Sequence, residues 1–303
     1  MHRSDTTASP AVEVVPAFPV PPVRARGSAT ARRVRRAFAE AIDHALAAAI
    51  ASERTPQESL RTFRRAVRHA RAIVATCRTQ LPASIRLELL ATFRAVTRAT
   101  GAMRDRDALP AVLAELAPLP AAAEARARLE GLLLTERLDA RRPQKRARKL
   151  AVAAVKLAAL VERFERSLPG CLQAKDVEHG WKRLARKARS AVRAARREPS
   201  DPRQTHDARK RLRTLASALL ALGGDQRRTV KRAQRLARIV TELGRTLDCQ
   251  RLDRRARSGG IARSMSGGRE LLEQLADAAL ASRPRLLKRA ARQVARRRWK
   301  ATK

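Results

Sequence analysis

The chain has 303 residues and a net charge of +40, and its 44% apolar residues are enough to build a hydrophobic core. Of its 68 lysines and arginines 57 are Arg, whose forked guanidinium grips phosphate oxygens two at a time. The charge therefore indicates a polyanionic partner, which is nucleic acid, inorganic polyphosphate or an anionic membrane surface. Ala and Arg favour helices and strand-type alternation is scarce, so we expect an all-α protein.

The N-terminal segment and the cysteines bear on location. Residues 1–29 are Pro-rich without a continuous apolar run, so they predict a disordered leader and not a secretory signal. The most apolar segment, LAVAAVKLAALV, is short and contains Lys156, so no transmembrane helix is expected. Cys77, Cys171 and Cys249 form no CxxC pair and have no His at zinc-ligand spacing. We expect packing thiols, no metal site and a cytoplasmic protein.

Pro, Gly and N-cap residues divide the remaining chain into helices. In the first half the expected helices cover about residues 30–52, 56–81, 83–100, 104–116 and 121–142. In the second half they cover about residues 144–168, 177–197, 202–222, 225–243 and 245–257, followed by a helical hairpin turned at Pro284. Thr55 is expected to cap one helix, and Ser200 or Asp201 another. Gly244 is expected to break the chain between two helices.

Two of these helices carry the same four-cation pattern, spaced i, i+3, i+4 and i+7. The first cation row is Arg61, Arg64, Arg65 and Arg68, and the second is His206, Arg209, Lys210 and Arg213. Each row covers about 100° of its helix and lies beside an apolar stripe that includes Phe63 in the first helix and Leu215 in the second. Like charges at this spacing repel each other, so a pattern that occurs twice predicts a polyanion against it.

Other basic residues extend the candidate binding set. Two further stripes lie on the expected helices near 177–197 and the C-terminus, where a solvated surface is the ordinary explanation. They contain Lys182, Arg186, Arg189, Arg193 and Arg196, and Arg285, Arg289, Arg292 and Arg296. We include Lys182, Arg186, Arg189, Arg193, Arg289 and Arg292 among the candidate polyanion-binding residues, together with His69 and the two rows.

Constant offsets indicate an internal duplication. Arg61 and His206 are 145 residues apart, and both the pair Asp105 and Asp248 and the pair Gly101 and Gly244 are 143 apart. We therefore expect two helical bundles, over residues 30–143 and 144–303.

Three carboxylates follow the two glycines: Asp105, Asp107 and Asp248. They are expected either to cap helix N-termini or to hold an arginine of a cation row in one rotamer.

Two motifs connect these features to a known family. His206 is followed by Arg209 and Arg213 at +3 and +7, and GAMRDRD at 101–107 is a glycine-then-Arg-Asp turn. In this order the motifs resemble the CHAD family, the conserved histidine α-helical domain, over about residues 30–300. Arg61 stands where the first-repeat signature has its histidine, so we expect a site that works by charge and not by two equivalent histidines.

The resemblance implies two pseudo-symmetric four-helix bundles with a basic groove or pore between them that binds inorganic polyphosphate. Some relatives are similar to granule-associated proteins, so polyphosphate or polyhydroxyalkanoate granules are further expected partners. We expect no cofactor.

A nucleic-acid-binding protein is the alternative function. Aromatic residues are only 2% of the chain and Tyr is absent, so platforms for stacking bases are scarce. No P-loop, GxSxG or HExxH motif is present, and His206 has no evident nucleophile or metal partner. We therefore expect a binding protein and not an enzyme.

Overall fold

The computed structural model describes residues 27–138, 142–224 and 226–295, and every regular element in these ranges is helical, which confirms the all-α class. The first half contains α1 (Ala29–Ile50), α2 (Pro56–Thr76), α3 (Ala83–Ala99), α4 (Gly101–Ala114), α5 (Ala123–Leu138) and α6 (Arg142–Ser167). The second half contains α7 (Ala174–Arg197), α8 (Pro202–Leu222), α9 (Arg227–Ser258), α10 (Ile261–Ser264), α11 (Gly268–Leu280) and α12 (Arg283–Ala295). The predicted leader lies outside the described residues except for its last three.

The helix starts follow the capping chemistry in part. Asp201 caps α8 as predicted, since its carboxylate accepts a 2.7 Å hydrogen bond from the Arg203 amide. Thr55 occupies the N-cap position of α2 as predicted, but its side chain makes no capping hydrogen bond, because its hydroxyl bonds with the hydroxyl of Ser59 and donates to the carbonyl of Ala51 instead. Local sequence identifies the right position in both cases, but neighbouring acceptors decide what the side chain does.

The predicted helix break at Gly244 is wrong. The helix α9 continues through this residue to Ser258. A glycine inside a helix costs roughly 1 kcal/mol relative to alanine, and here it makes room for another side chain. A Cβ atom at Gly244 would lie only 2.5 Å from Nη2 of Arg209. Gly101, by contrast, has open space at its Cβ position and does begin a helix.

The helices α2 and α8 pack against each other at the centre of the fold. On one side α1 packs on α2 and α6, and on the other α7 packs on α8 and α12, while α9 crosses α8 and reaches α4 and α11. The main core contains Phe38, which stacks on Phe164 at 4.0 Å and meets Phe93 edge-on. A smaller core joins α4, α5 and α11 to the second half of α9.

Several arginines are structural, which composition alone does not show. Arg35 donates to the Leu168 carbonyl at 2.6 Å, and Arg183 donates to the Thr76 carbonyl at 2.9 Å. Arg232 likewise donates to the carbonyl of Gln293. These guanidiniums donate to carbonyls at or near helix C-termini, where no backbone N–H of the same helix is left to donate to them. Part of the arginine excess therefore stabilises the fold and leaves fewer cations for a ligand.

Two sequence-based predictions concern the chain as a whole. Among the described helices, none is both long and apolar enough to cross a membrane. The division of the chain at residue 143 stays a prediction. The helix α6, which that division assigns to the second bundle, packs on α1 and α3.

Candidate anion-binding site

The contact between α2 and α8 brings the two cation rows together. The apolar residues beside the rows, such as Phe63 and Leu215, are buried as predicted. Burial then divides each row in the same way. Arg61 and Arg65 are exposed on α2, and His206 and Lys210 are exposed on α8. The other four cations are partly buried, and we call them the inner arginines: Arg64, Arg68, Arg209 and Arg213.

The inner arginines lie close enough to perturb one another. Burial, together with the charges of Arg209 and Arg68, lowers the pKa of Arg213 to about 9. Burial and the charges of Arg64 and Arg209 lower the pKa of Arg68 to about 10, and burial is also the main cause that lowers the pKa of Arg209 to about 10. Desolvation disfavours a charged group, and like charges add to this effect. The site therefore concentrates positive charge at a cost to the folded chain.

Two of the inner arginines are fixed by equivalent contacts. Arg64 Nη1 donates to the Thr97 carbonyl at 3.3 Å and to the Thr100 hydroxyl at 2.6 Å. Arg209 Nε donates to the Val240 carbonyl at 3.2 Å and passes over Gly244. The two carbonyl positions are 143 residues apart, the same offset that separates the two glycines.

Arg68 and Arg213 have no such support. Within the part of the chain that the structure describes, neither guanidinium has a hydrogen-bond or ion-pair partner. Both side chains are partly buried among other cations, so their charges are only partly hydrated. An anion between α2 and α8 would supply the missing partner.

The predicted roles of the carboxylates need correction. Asp248 lies inside α9 and is 4% exposed, so it caps no helix. It accepts from Arg104 at 2.5 Å and from Arg251 at 2.6 Å. Asp105 accepts from the same two arginines, at 2.7 and 3.2 Å. Asp105 and Asp248 therefore tie α4 to α9 through two arginines outside the cation rows, and Asp107 lines the cleft described next.

Two cavities adjoin the cation rows. The inner pocket, of about 40 Å³, lies among α2, α3 and α8, and its cationic lining is Arg64, Arg68, Arg71 and Arg213. The outer cleft, of about 250 Å³, lies between α2 and α4, and its charged lining is Arg61, Arg64, Arg65, Arg68, Arg104 and Asp107. Arg64 and Arg68 belong to both linings, so they stand between the two cavities.

The outlying basic residues are not in these two linings. On α7, Lys182, Arg186 and Arg189 line a separate open depression of about 640 Å³, and Arg189 also donates to the Val294 carbonyl. Arg193 is exposed elsewhere on the same helix.

The α12 stripe is likewise outside both linings. Arg289 pairs with Glu242 at 3.2 Å, Arg292 is exposed, and Arg296 lies outside the described residues.

Neither predicted histidine lines a cavity at the rows. Burial, together with the charges of Arg68 and Arg65, lowers the pKa of His69 to about 4. Burial and the neighbouring cations also lower the pKa of His206. Both imidazoles are thus neutral at pH 7. Arg71 was not among the residues predicted from the sequence, although it lies three residues beyond Arg68 and so continues the first row.

The sequence matches the family model of the CHAD domain over residues 36–257. The chain belongs to the CHAD domain family. The CHAD match includes both cation rows and the Asp105–Asp248 network, and it ends before α10. A crystal structure of the CHAD domain from the plant Ricinus communis has the same fold, with a TM-score of 0.63 and 19% identity, covering 90% of this chain and 94% of that one. A search of the curated proteins gives no match.

Proposed function

We propose that this CHAD domain binds inorganic polyphosphate through the two cation rows, without catalysing a reaction on it. The observation that carries the proposal is the pair Arg68 and Arg213, two partly buried arginines that lie close enough for Arg68 to lower the pKa of Arg213 and that have no hydrogen-bond or ion-pair partner in the described chain. A polyanion supplies acceptors for both at once. The exposed cations Arg61, Arg65 and Lys210 lie beside them and extend the same surface.

Polyphosphate suits this arrangement better than a nucleic acid does. It is a flexible chain of phosphates without bases, so it can follow a narrow space lined by guanidinium forks. Single-stranded nucleic acids also need stacking platforms, and aromatic residues make up only 2% of this chain. The same binding is sufficient to place the protein on polyphosphate granules.

The residues at the rows support binding rather than catalysis. Arginine keeps its proton at neutral pH and does not act as a general base. The carboxylates Asp105 and Asp248 are held by Arg104 and Arg251, so they are committed to neutralising these cations. His206 is exposed on the outer side of its row.

A competition measurement tests the ligand. Long-chain polyphosphate and duplex DNA are compared at equal charge and equal salt, and we expect polyphosphate to bind more tightly. Arg64→Glu combined with Arg209→Glu should lower polyphosphate affinity at least about tenfold, or about 1.4 kcal/mol. The control Arg285→Glu with Arg292→Glu makes the same charge change on α12 and should leave affinity within about twofold, because it is remote from both cavities.

Circular dichroism of both double variants establishes that the helices are retained. Equal or tighter binding of DNA would favour the nucleic-acid alternative, and equal losses in both double variants would mean that only total charge matters.

A further inference from the structure

The inner pocket differs from the outer cleft in size, wall and charge. We propose that it binds the terminal phosphate of a polyphosphate chain, so that the domain recognises chain ends. The inference rests on the proposed function and adds where the end of the ligand lies. Three helices line the inner pocket: α2 contributes Arg64, Arg68 and Arg71, α3 contributes Thr97, and α8 contributes Arg213.

Size distinguishes the inner pocket from the outer cleft. The inner pocket, at about 40 Å³, is far smaller than the outer cleft and suits a single phosphate group better than a run of them. The outer cleft, at about 250 Å³, has room for several consecutive phosphates.

The wall of the inner pocket leads into the hydrophobic core. Phe63, Val67 and Val96 line it, and each is at most 3% exposed because it packs in the main core. A linear polyanion that passed on in this direction would have to enter the core, which is prohibitively unfavourable for a charged chain. A phosphate that enters this pocket is therefore at the end of its chain.

Charge favours the same assignment. A terminal phosphate has a second ionisation near pH 6, as phosphomonoesters do, and carries close to two negative charges at neutral pH. An internal phosphate has one ionisable oxygen and carries one charge. Of the described residues, four arginines and no carboxylate line the inner pocket, whereas Asp107 offsets part of the charge in the outer cleft. The more highly charged end group matches the inner pocket.

The two cavities are adjacent, so one chain can occupy both. Arg64 and Arg68 line both cavities. A guanidinium has five N–H donors, which is enough to contact the terminal phosphate and the next one. The Arg64 fork is already oriented by the Thr100 hydroxyl and the Thr97 carbonyl. The geometry thus gives the chain a direction, with its end between α2, α3 and α8 and its interior along α2 and α4.

Stoichiometry tests the inference on the full chain. Polyphosphate preparations of two lengths, several-fold apart, are titrated into the protein, and bound protein per chain is counted by sedimentation. We expect at most two domains per polyphosphate chain at both lengths, one at each end. Blocking both chain ends as phosphoramidates removes a charge and an oxygen from each terminal phosphate, and we expect it to weaken binding at least about tenfold.

Single variants locate the effect. Arg213→Met and Arg71→Met change only the inner pocket, and both should bring the affinity ratio of free-ended to end-blocked polyphosphate close to one. Arg61→Met changes only the outer cleft, so it should weaken binding of both ligands by the same factor and preserve their ratio. Arg213→Met removes a partly buried charge that lies among other cations, so it should not lower the melting temperature. An unchanged or higher melting temperature shows that the variant is folded.

The outcomes separate the inference from the function on which it rests. If bound protein rises in proportion to chain length and end-blocked chains bind equally well, the assignment of chain ends is overturned while polyphosphate binding stands. If neither preparation binds, the proposed function itself is overturned.

Discussion

At the scale of single residues, burial gives chemically similar side chains different roles. Arg61 and Arg65 are exposed, whereas Arg64 and Arg68 on the same row are partly buried. The first pair attracts a polyanion through solvent, where salt screens the interaction, and the second pair meets it where less of the charge is screened by water and salt. The inner arginines are therefore the ones whose contacts with a phosphate are strongest.

His69 gives a pH-dependent stability that can be measured. Its pKa in the folded chain is about 4, below the ordinary 6.5, because of burial and the nearby charges of Arg68 and Arg65. Between these two pH values the unfolded chain binds the proton more readily. The contribution of His69 to the free energy of unfolding is therefore fully present above pH 6.5 and is lost as the pH falls towards 4. The loss between pH 7.5 and pH 5 should be about 1 to 2 kcal/mol.

Urea unfolding of the wild type and of His69→Gln at the two pH values measures this difference. The variant keeps a polar side chain but cannot take up a proton, so the free energy of unfolding should fall less. His179→Gln replaces an exposed histidine of α7 and serves as the control. If both variants lose as much stability as the wild type, His69 does not cause the loss.

At the scale of elements, Gly244 shows how one helix shapes the side chains of another. The helix α9 needs no glycine for its own backbone at this position, and it would be more stable with alanine. The missing Cβ instead lets the guanidinium of Arg209 on α8 lie across it and donate to Val240. The glycine thus belongs to the binding site through its contact, although it offers the ligand no group.

Replacing this glycine should separate stability from binding. In Gly244→Ala the new Cβ displaces the end of the flexible Arg209 side chain, which is easy to move, so stability should be unchanged or higher by up to about 1 kcal/mol. Polyphosphate affinity should fall about fivefold, or about 1 kcal/mol, because Arg209 leaves its position. Thermal unfolding and titration calorimetry measure the two effects.

Gly101→Ala is the matched control, since nothing lies within 4 Å of its Cβ position. It should retain affinity. A Gly244→Ala protein that binds as the wild type does would show that the position of Arg209 is unimportant.

The sequence predicts the elements of the site better than their contacts. Helical periodicity and spacing identify the all-α class and both cation rows, because these depend on residues close in the chain. The partners of Asp248 could not be found in this way. They are Arg104 and Arg251, and the first is 144 residues distant in the chain. Only the packing of α4 on α9 brings these charges together.

The division of each row into inner and outer cations has the same origin. It depends on how α2 meets α8 and on the helices that flank them, and a single helical wheel does not contain this information. The unpartnered state of Arg68 and Arg213 could not be read from charge spacing for the same reason.

At the scale of the whole molecule, the net charge overstates the number of cations available to a ligand. Arg35, Arg183 and Arg232 donate to main-chain carbonyls, and Arg104 and Arg251 are paired with carboxylates. The cations that line the two cavities and have no carboxylate partner in the described part of the chain are a small subset: Arg61, Arg64, Arg65, Arg68, Arg71 and Arg213. Long-range attraction comes from the net charge of +40. Tight binding depends on this subset and on Arg209, which lines neither cavity but lies close enough to lower the pKa of Arg68 and Arg213.

Salt dependence distinguishes these two contributions. Binding to a single-stranded polyanion releases about 0.7 counterions per neutralised phosphate, so six engaged cations predict a slope of about −4 for log affinity against log salt. Arg61→Gln combined with Arg65→Gln should reduce the slope in magnitude by about 1.4, because two phosphate contacts are lost. Arg285→Gln with Arg292→Gln on α12 should leave it unchanged. A slope far steeper than about −4, reduced equally by both double variants, would mean that polyphosphate spreads over the entire basic surface. The inner pocket and the outer cleft would then not be its specific binding site.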